Sequence, residues 1–80
     1  MNTQQLECFV RVAEKLNFTK AAEELYISAP AVTHQIKKLE EELNTTLFIR
    51  TSKMVKLTET GALFYGEAKD ILQKMVMAEK

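Results

Sequence analysis

The chain has 80 residues, with eleven basic and eleven acidic side chains and a formal net charge of zero. That length holds one domain with a thin core; 46% hydrophobic residues exclude a disordered tail, and 28% charged residues with no long apolar run exclude a membrane-spanning chain. One cysteine cannot form an internal disulfide, and residues 1–5 lack a basic-then-apolar signal pattern, so a cytoplasmic location is expected.

Helices should dominate, because two glycines and one proline leave little turn material. Leu6, Phe9, Val10, Ala13 and Leu16 recur at helical spacing and predict a first helix with Thr3 as its N-cap. Asn17 and Phe18 interrupt it, and Thr19 is the expected cap of a short second helix over 20–25, with Ala21, Ala22 and Leu25 on its inner face. Tyr26 and Ile27 form a tight connection, since Ser28 reads as another N-cap and Pro30 suits a first helical turn. The third helix spans 29–43, with Val32, Ile36, Leu39 and Leu43 on one stripe and Asn44 as an end that tolerates the left-handed conformation. The period then shortens. Leu47, Phe48, Ile49 and Val55, Lys56, Leu57 are β-prone runs around Thr51, Ser52, Lys53 and Met54, which predicts a two-stranded hairpin with a basic tip. Thr58 opens a fourth helix, and acidic Glu59 suits its first turn.

Taken alone, zero net charge argues against a polyanionic partner. By segment the balance is −1 over 1–27, −1 over 28–43, +3 over 44–57 and −1 over 58–80. The one acid-free segment is the predicted hairpin, and local charge rather than the total sets the field a polyanion meets. A short helix, a tight turn and a longer helix over 20–43 form a helix-turn-helix pattern, with small Ala22 where the helices must approach and Leu25, Ile27 and Val32 at the junction. Opposite the apolar stripe of the longer helix lie Pro30, His34, Lys37 and Glu41, flanked by Thr33 and Lys38. Its first half is small, polar or basic, as a major groove requires; the acids Glu40, Glu41 and Glu42 lie at the far end.

At this point the residues resemble the DNA-binding domain of LysR-type transcriptional regulators. The resemblance runs from Leu6 to about Leu72 and is carried by Leu6-x-x-Phe9-x-x-Val12-Ala13-Glu14, Phe18-Thr19-x-Ala21-Ala22-Glu23-x-Leu25, Ser28-x-Pro30-Ala31-Val32-Thr33-x-Gln35-Ile36-x-x-Leu39-Glu40, Leu47-Phe48-x-Arg50-Thr51 and Val55-x-Leu57-Thr58-Glu59-x-Gly61. It implies a mainly α fold: a winged helix-turn-helix over 1–58 with a small β wing, then a long linker and dimerisation helix over 59–80. It also implies sequence-specific binding of double-stranded DNA as a homodimer, with helix 29–43 in the major groove and the wing, 50–56, at the minor groove. Base contacts would come from Ala29, Pro30, Thr33 and His34 and, at the wing tip, Lys53; Ser28, Lys37, Lys38, Arg50, Thr51 and Ser52 would meet the backbone. Family chains are several times longer, and the C-terminal domain that binds a small-molecule inducer is absent here. Four departures stand out. Ala29 replaces the usual glutamine and offers a methyl in place of a bidentate amide, Thr33 replaces serine, and His34 and Lys53 replace arginine.

The last helix carries Phe64, Ala68, Ile71, Met75 and Ala78 at alternating spacings of four and three, a coiled-coil seam, with Tyr65, Leu72 and Val76 beside it. That predicts a dimer contact through Phe64, Ala68, Ile71, Leu72, Met75 and Val76. An enzyme has no supporting constellation: Ser28, His34 and Asp70 can be written as a triad, yet Ser28 is explained as a cap and no oxyanion site accompanies it. Cys8 reads as an inert small hydrophobe, a single histidine cannot anchor a metal cluster, and Gly61 and Gly66 are not followed by a phosphate-loop signature, so no cofactor is expected. The alternative reading is a winged-helix protein-interaction module that dimerises without reading DNA.

Overall fold

The computed structural model describes residues 1–78, and the side chains of residues 1–75. Element order is α1 (Thr3–Lys15), α2 (Phe18–Leu25), α3 (Ala29–Leu43), β1 (Phe48–Arg50), β2 (Val55–Leu57) and α4 (Glu59–Ala78). The predicted order is therefore reproduced, as a helix-turn-helix followed by a two-stranded wing and a long helix.

Two caps differ from expectation. Asn2, not Thr3, caps α1: its side chain accepts from Gln5 N–H at 2.8 Å while Gln5 Oε1 accepts from Asn2 N–H at 2.9 Å, a reciprocal capping box. Asn17, not Thr19, caps α2, accepting from Lys20 N–H at 2.9 Å. Each asparagine stands directly before the first helical residue, where an extended backbone aims its short side chain at the third free N–H. Ser28 caps α3 as expected. Leu16, Tyr26 and Asn44 end α1, α2 and α3 in the left-handed region, at φ of 50°, 59° and 53°.

Leu6, Phe9, Val12, Ala21, Ala22, Val32, Ile36, Leu39, Leu47 and Phe48 form the core where α1, α2 and α3 meet the wing. Leu43 ends the predicted stripe of α3 but lies exposed. Phe9 joins the layers: its ring lies 5.4 Å from that of Phe48 on β1 and 5.2 Å from that of Phe64 on α4. The wing is antiparallel, pairing Phe48 with Leu57, Ile49 with Lys56 and Arg50 with Val55.

The wing root is pinned from both sides. Glu40 of α3 accepts from the N–H groups of Leu47 (2.7 Å) and Phe48 (3.3 Å). Thr58 N–H donates to the Leu47 carbonyl at 3.0 Å, and the Thr58 hydroxyl donates to the Thr46 carbonyl at 2.6 Å while accepting from Gly61 N–H at 2.9 Å. Gly61 lies so close to this segment that a Cβ would overlap the Leu47 carbonyl oxygen.

The predicted seam of α4 needs correction. Ala68 is fully buried and Phe64, Ile71 and Leu72 pack against the chain's own core, because α4 lies along α1 and the small Ala68 permits close approach. Tyr65 O–H donates to Glu14 at 2.9 Å and Lys69 pairs with the same carboxylate at 3.7 Å, fixing that arrangement. Met75 is exposed, as is Leu63 at 74%, a residue about 100° around the helix from the seam's centre. The side chains of Val76 and of the seam residue Ala78 lie outside the described residues.

Candidate nucleic-acid interface

Ala29, Pro30, Thr33, His34 and Lys37 of α3 line one open concavity together with Arg50 of the wing. Helical spacing sets this grouping. Val32, Ile36 and Leu39 turn into the core, so the residues between them rotate to the outer face. Pro30, His34 and Lys37 are exposed, whereas Ala29 and Thr33 are half-buried at the junction with the rest of the domain.

Arg50 joins the wing to the helix. Its guanidinium lies over the Phe18 ring, 3.8 Å from the centroid, and Nη1 donates to Thr33 Oγ1 at 3.3 Å. Phe18 is in turn held edge-on to Phe48, with centroids 5.9 Å apart. In the sequence Phe18 reads as part of the break before the second helix, whereas it is the first residue of α2; nothing in its local sequence signals that it forms a platform for a cation 32 positions later.

At the wing tip Thr51 does the folding. Its N–H donates to the Met54 carbonyl at 2.9 Å, and its hydroxyl accepts from Met54 N–H at 3.1 Å and from Lys53 N–H at 3.3 Å. Ser52 and Lys53 are thereby left exposed at the apex. Ser28 is also exposed, with its hydroxyl oxygen accepting from Ala31 N–H at 3.2 Å. The predicted contact residues thus fall into two groups: those around the concavity, and Thr51, Ser52 and Lys53 at the tip. Ser28 and Lys38 flank the first group without lining it.

The electrostatics follow from which charges are matched internally. Glu24 pairs with Lys15 and Arg11, each at 2.9 Å, and the Lys15 ammonium foremost holds its carboxyl below the ordinary value. Glu42 pairs with the N-terminal ammonium of Met1 and accepts from Gln5 Nε2 at 3.2 Å, and the ammonium likewise lowers its pKa. Among the described residues Lys37, Lys38, Arg50, Lys53 and Lys56 make no ion pair. Lys20 of α2 and Lys74 of α4 are also unpaired among the described residues, but five of the seven unmatched cations belong to α3 and the wing, a clustering suited to a phosphate backbone.

Among the described residues no group of three or more His, Cys, Asp or Glu side chains could hold a metal ion. Cys8 is buried, and burial, with the neighbouring Glu7 charge, pushes its thiol up to about 11, far from a reactive thiolate. No helix among the described residues is long and apolar enough to cross a membrane.

Comparison with known proteins meets this geometry. A family model described as "Bacterial regulatory helix-turn-helix protein, lysR family" matches residues 3–62. HTH-type transcriptional regulator CrgA of Neisseria meningitidis serogroup C (strain 8013) is 42% identical over 78 residues, 98% of this chain and 26% of that protein. HTH-type transcriptional regulator BudR of Klebsiella aerogenes is 49% identical over 72 residues, 90% of this chain and 50% of that protein. The chain therefore spans between about a quarter and a half of these relatives' lengths. The crystal structure of the BenM_DBD/catB site 1 DNA complex superposes with a TM-score of 0.93 at 41% identity, over 98% of this chain and 87% of that one.

Proposed function

Because the chain belongs to the lysR family of bacterial regulatory helix-turn-helix proteins, we propose that it is the sequence-specific, double-stranded-DNA-binding part of a transcriptional regulator and not an enzyme. The observation that carries this reading is the concavity shared by α3 and Arg50, bordered by cations that no internal acid neutralises. In this reading α3 enters the major groove with Ala29, Pro30, Thr33 and His34 toward base edges. Ser28, Lys37, Lys38, Arg50, Thr51 and Ser52 meet the phosphates, and Lys53 at the wing apex reaches the minor groove. The BenM_DBD structure was solved with DNA, which supports carrying that partner to this chain.

Two copies would pair through α4. The surface left for this comprises exposed Met75 with the half-buried edges of Ile71 and Leu72. Two half-sites would then be read at once, which compensates for weak nonspecific affinity in a chain of zero net charge. The protein would act in the cytoplasm without a cofactor of its own, and any small-molecule inducer would bind a further domain of the kind found in the longer relatives.

Selection from random duplex DNA, followed by salt titration on the enriched sequence, tests the reading. The expected result is a two-fold-related motif whose affinity falls steeply with salt. No enriched motif, together with a salt-independent background, would instead support a protein-interaction module. Sedimentation at high micromolar concentration tests the pairing; a monomer there refutes it.

A further inference from the structure

From Ser28 to Thr33 the side chains are Ser, Ala, Pro, Ala, Val and Thr. The only polar side-chain groups are two hydroxyls, each accepting one hydrogen bond and keeping only its single O–H as a donor: Ser28 Oγ accepts from Ala31 N–H at 3.2 Å, and Thr33 Oγ1 from Arg50 Nη1 at 3.3 Å. Arg50 is itself fixed by the Phe18 ring, 3.8 Å away. What these turns contribute to the concavity is therefore mainly carbon, from Ala29, the Pro30 ring and Thr33. In a major groove most base-edge groups are donors or acceptors that require a polar partner; the group that carbon reads is the C5 methyl of thymine.

We propose that the first turns of α3 recognise thymine 5-methyl groups through Ala29, Pro30 and Thr33, with Arg50 as a positioning residue that engages the Thr33 hydroxyl. This rests on the DNA-binding reading above and names the base feature that reading leaves open. A bidentate amide, which would favour adenine, is missing at position 29, and its place is taken by a half-buried methyl. The half-burial has a physical use: a methyl fixed against the core offers a surface that loses no rotamer freedom on contact.

Deoxyuridine differs from thymidine only by that methyl, so the decisive test leaves the protein unaltered. In the duplex enriched by the 80-residue chain, each thymine is replaced in turn by deoxyuridine, and affinity is measured at fixed salt. Loss of a buried methyl is worth about a four-fold weakening. The expected result is that size of penalty at one or two positions of each half-site and none elsewhere. Thr33→Ser keeps the hydroxyl and removes the methyl, so it should erase the penalty at one of those positions. Arg50→Ala should shrink the thymine-to-uridine ratio at that same position. A guanidinium that only met phosphate would weaken both duplexes equally, and that outcome removes Arg50 from the proposal. Equal affinity for thymine and uridine at every position, or an enriched motif without thymine in its half-sites, overturns methyl recognition while DNA binding stands. Failure to enrich any motif overturns the DNA-binding reading itself.

Discussion

At its N-terminal end α3 offers Pro30, His34 and Lys37 to solvent; at its C-terminal end the same helix turns Glu40 and Glu42 to the protein. The contrast is one of partners rather than residue type. Glu40 has its strand N–H groups and Glu42 its ammonium and amide, whereas Lys37 has no internal acid. An acidic run of three residues therefore says little about repulsion from DNA, because two of the three are held by groups of the fold. On its outer face the helix is divided into a C-terminal part tied to the fold and an N-terminal part without an internal partner.

The sharpest way to break this division is to disturb the segment to which the structural half is tied. Gly61→Ala drives a Cβ into the Leu47 carbonyl oxygen, whose surroundings are backbone and cannot yield cheaply. It should cost about 3 kcal/mol, read as a lower urea midpoint at unchanged slope. Gly66→Ala on the same helix meets nothing and should gain up to about 1 kcal/mol; equal effects at the two glycines would refute the close approach. Next, Glu40→Ala leaves two part-buried N–H groups without their acceptor and should cost about 2 kcal/mol. DNA affinity per folded molecule should be unchanged, and a loss of affinity at full folding would blur the two halves.

Lys37→Ala is the converse. Stability should stay within about 0.5 kcal/mol, while affinity falls several-fold and the log–log salt slope shrinks by about 1. The smallest effect concerns Glu42. Its carboxyl is held below the ordinary value of 4.5, so its contribution is present above the unfolded value and is lost as pH falls through the lowered folded value. Thermal melts of the native chain and Glu42→Gln should differ slightly near neutrality and converge in acid; a gap that widened on acidification would reverse the sign argued here.

Legibility in the sequence tracks the range of the interaction. The helices, the wing and the caps Ser28 and Asn44 follow from neighbours within four residues, and all were readable. Asn2 and Asn17 were passed over because a threonine stands one or two places later with the same capping chemistry, and spacing alone does not choose between them. The role of Glu40 depends on where Leu47 returns, and the Arg50 platform on where Phe18 lies, so neither leaves a local trace. Ala68 shows a further limit. A four-three spacing marks one face of a helix but not which surface covers it, and α1 covers much of what reads as a seam between chains. The α3 residues of the concavity are legible because they lie three or four apart on one helix; Arg50 is also a sequence-based candidate, but its seat on Phe18 and its bond to Thr33 required the fold.

Leu16 and Tyr26 hold a left-handed backbone that glycine adopts freely and that costs other L-residues about 1 kcal/mol. Both side chains are exposed, Tyr26 at 94% and Leu16 at 47%, so packing offsets little of that cost at Tyr26 and only part of it at Leu16. The domain thus carries torsional strain at two helix ends that could be released. Glycine at either place is a route to greater heat resistance, and neither position lines the concavity beside Arg50.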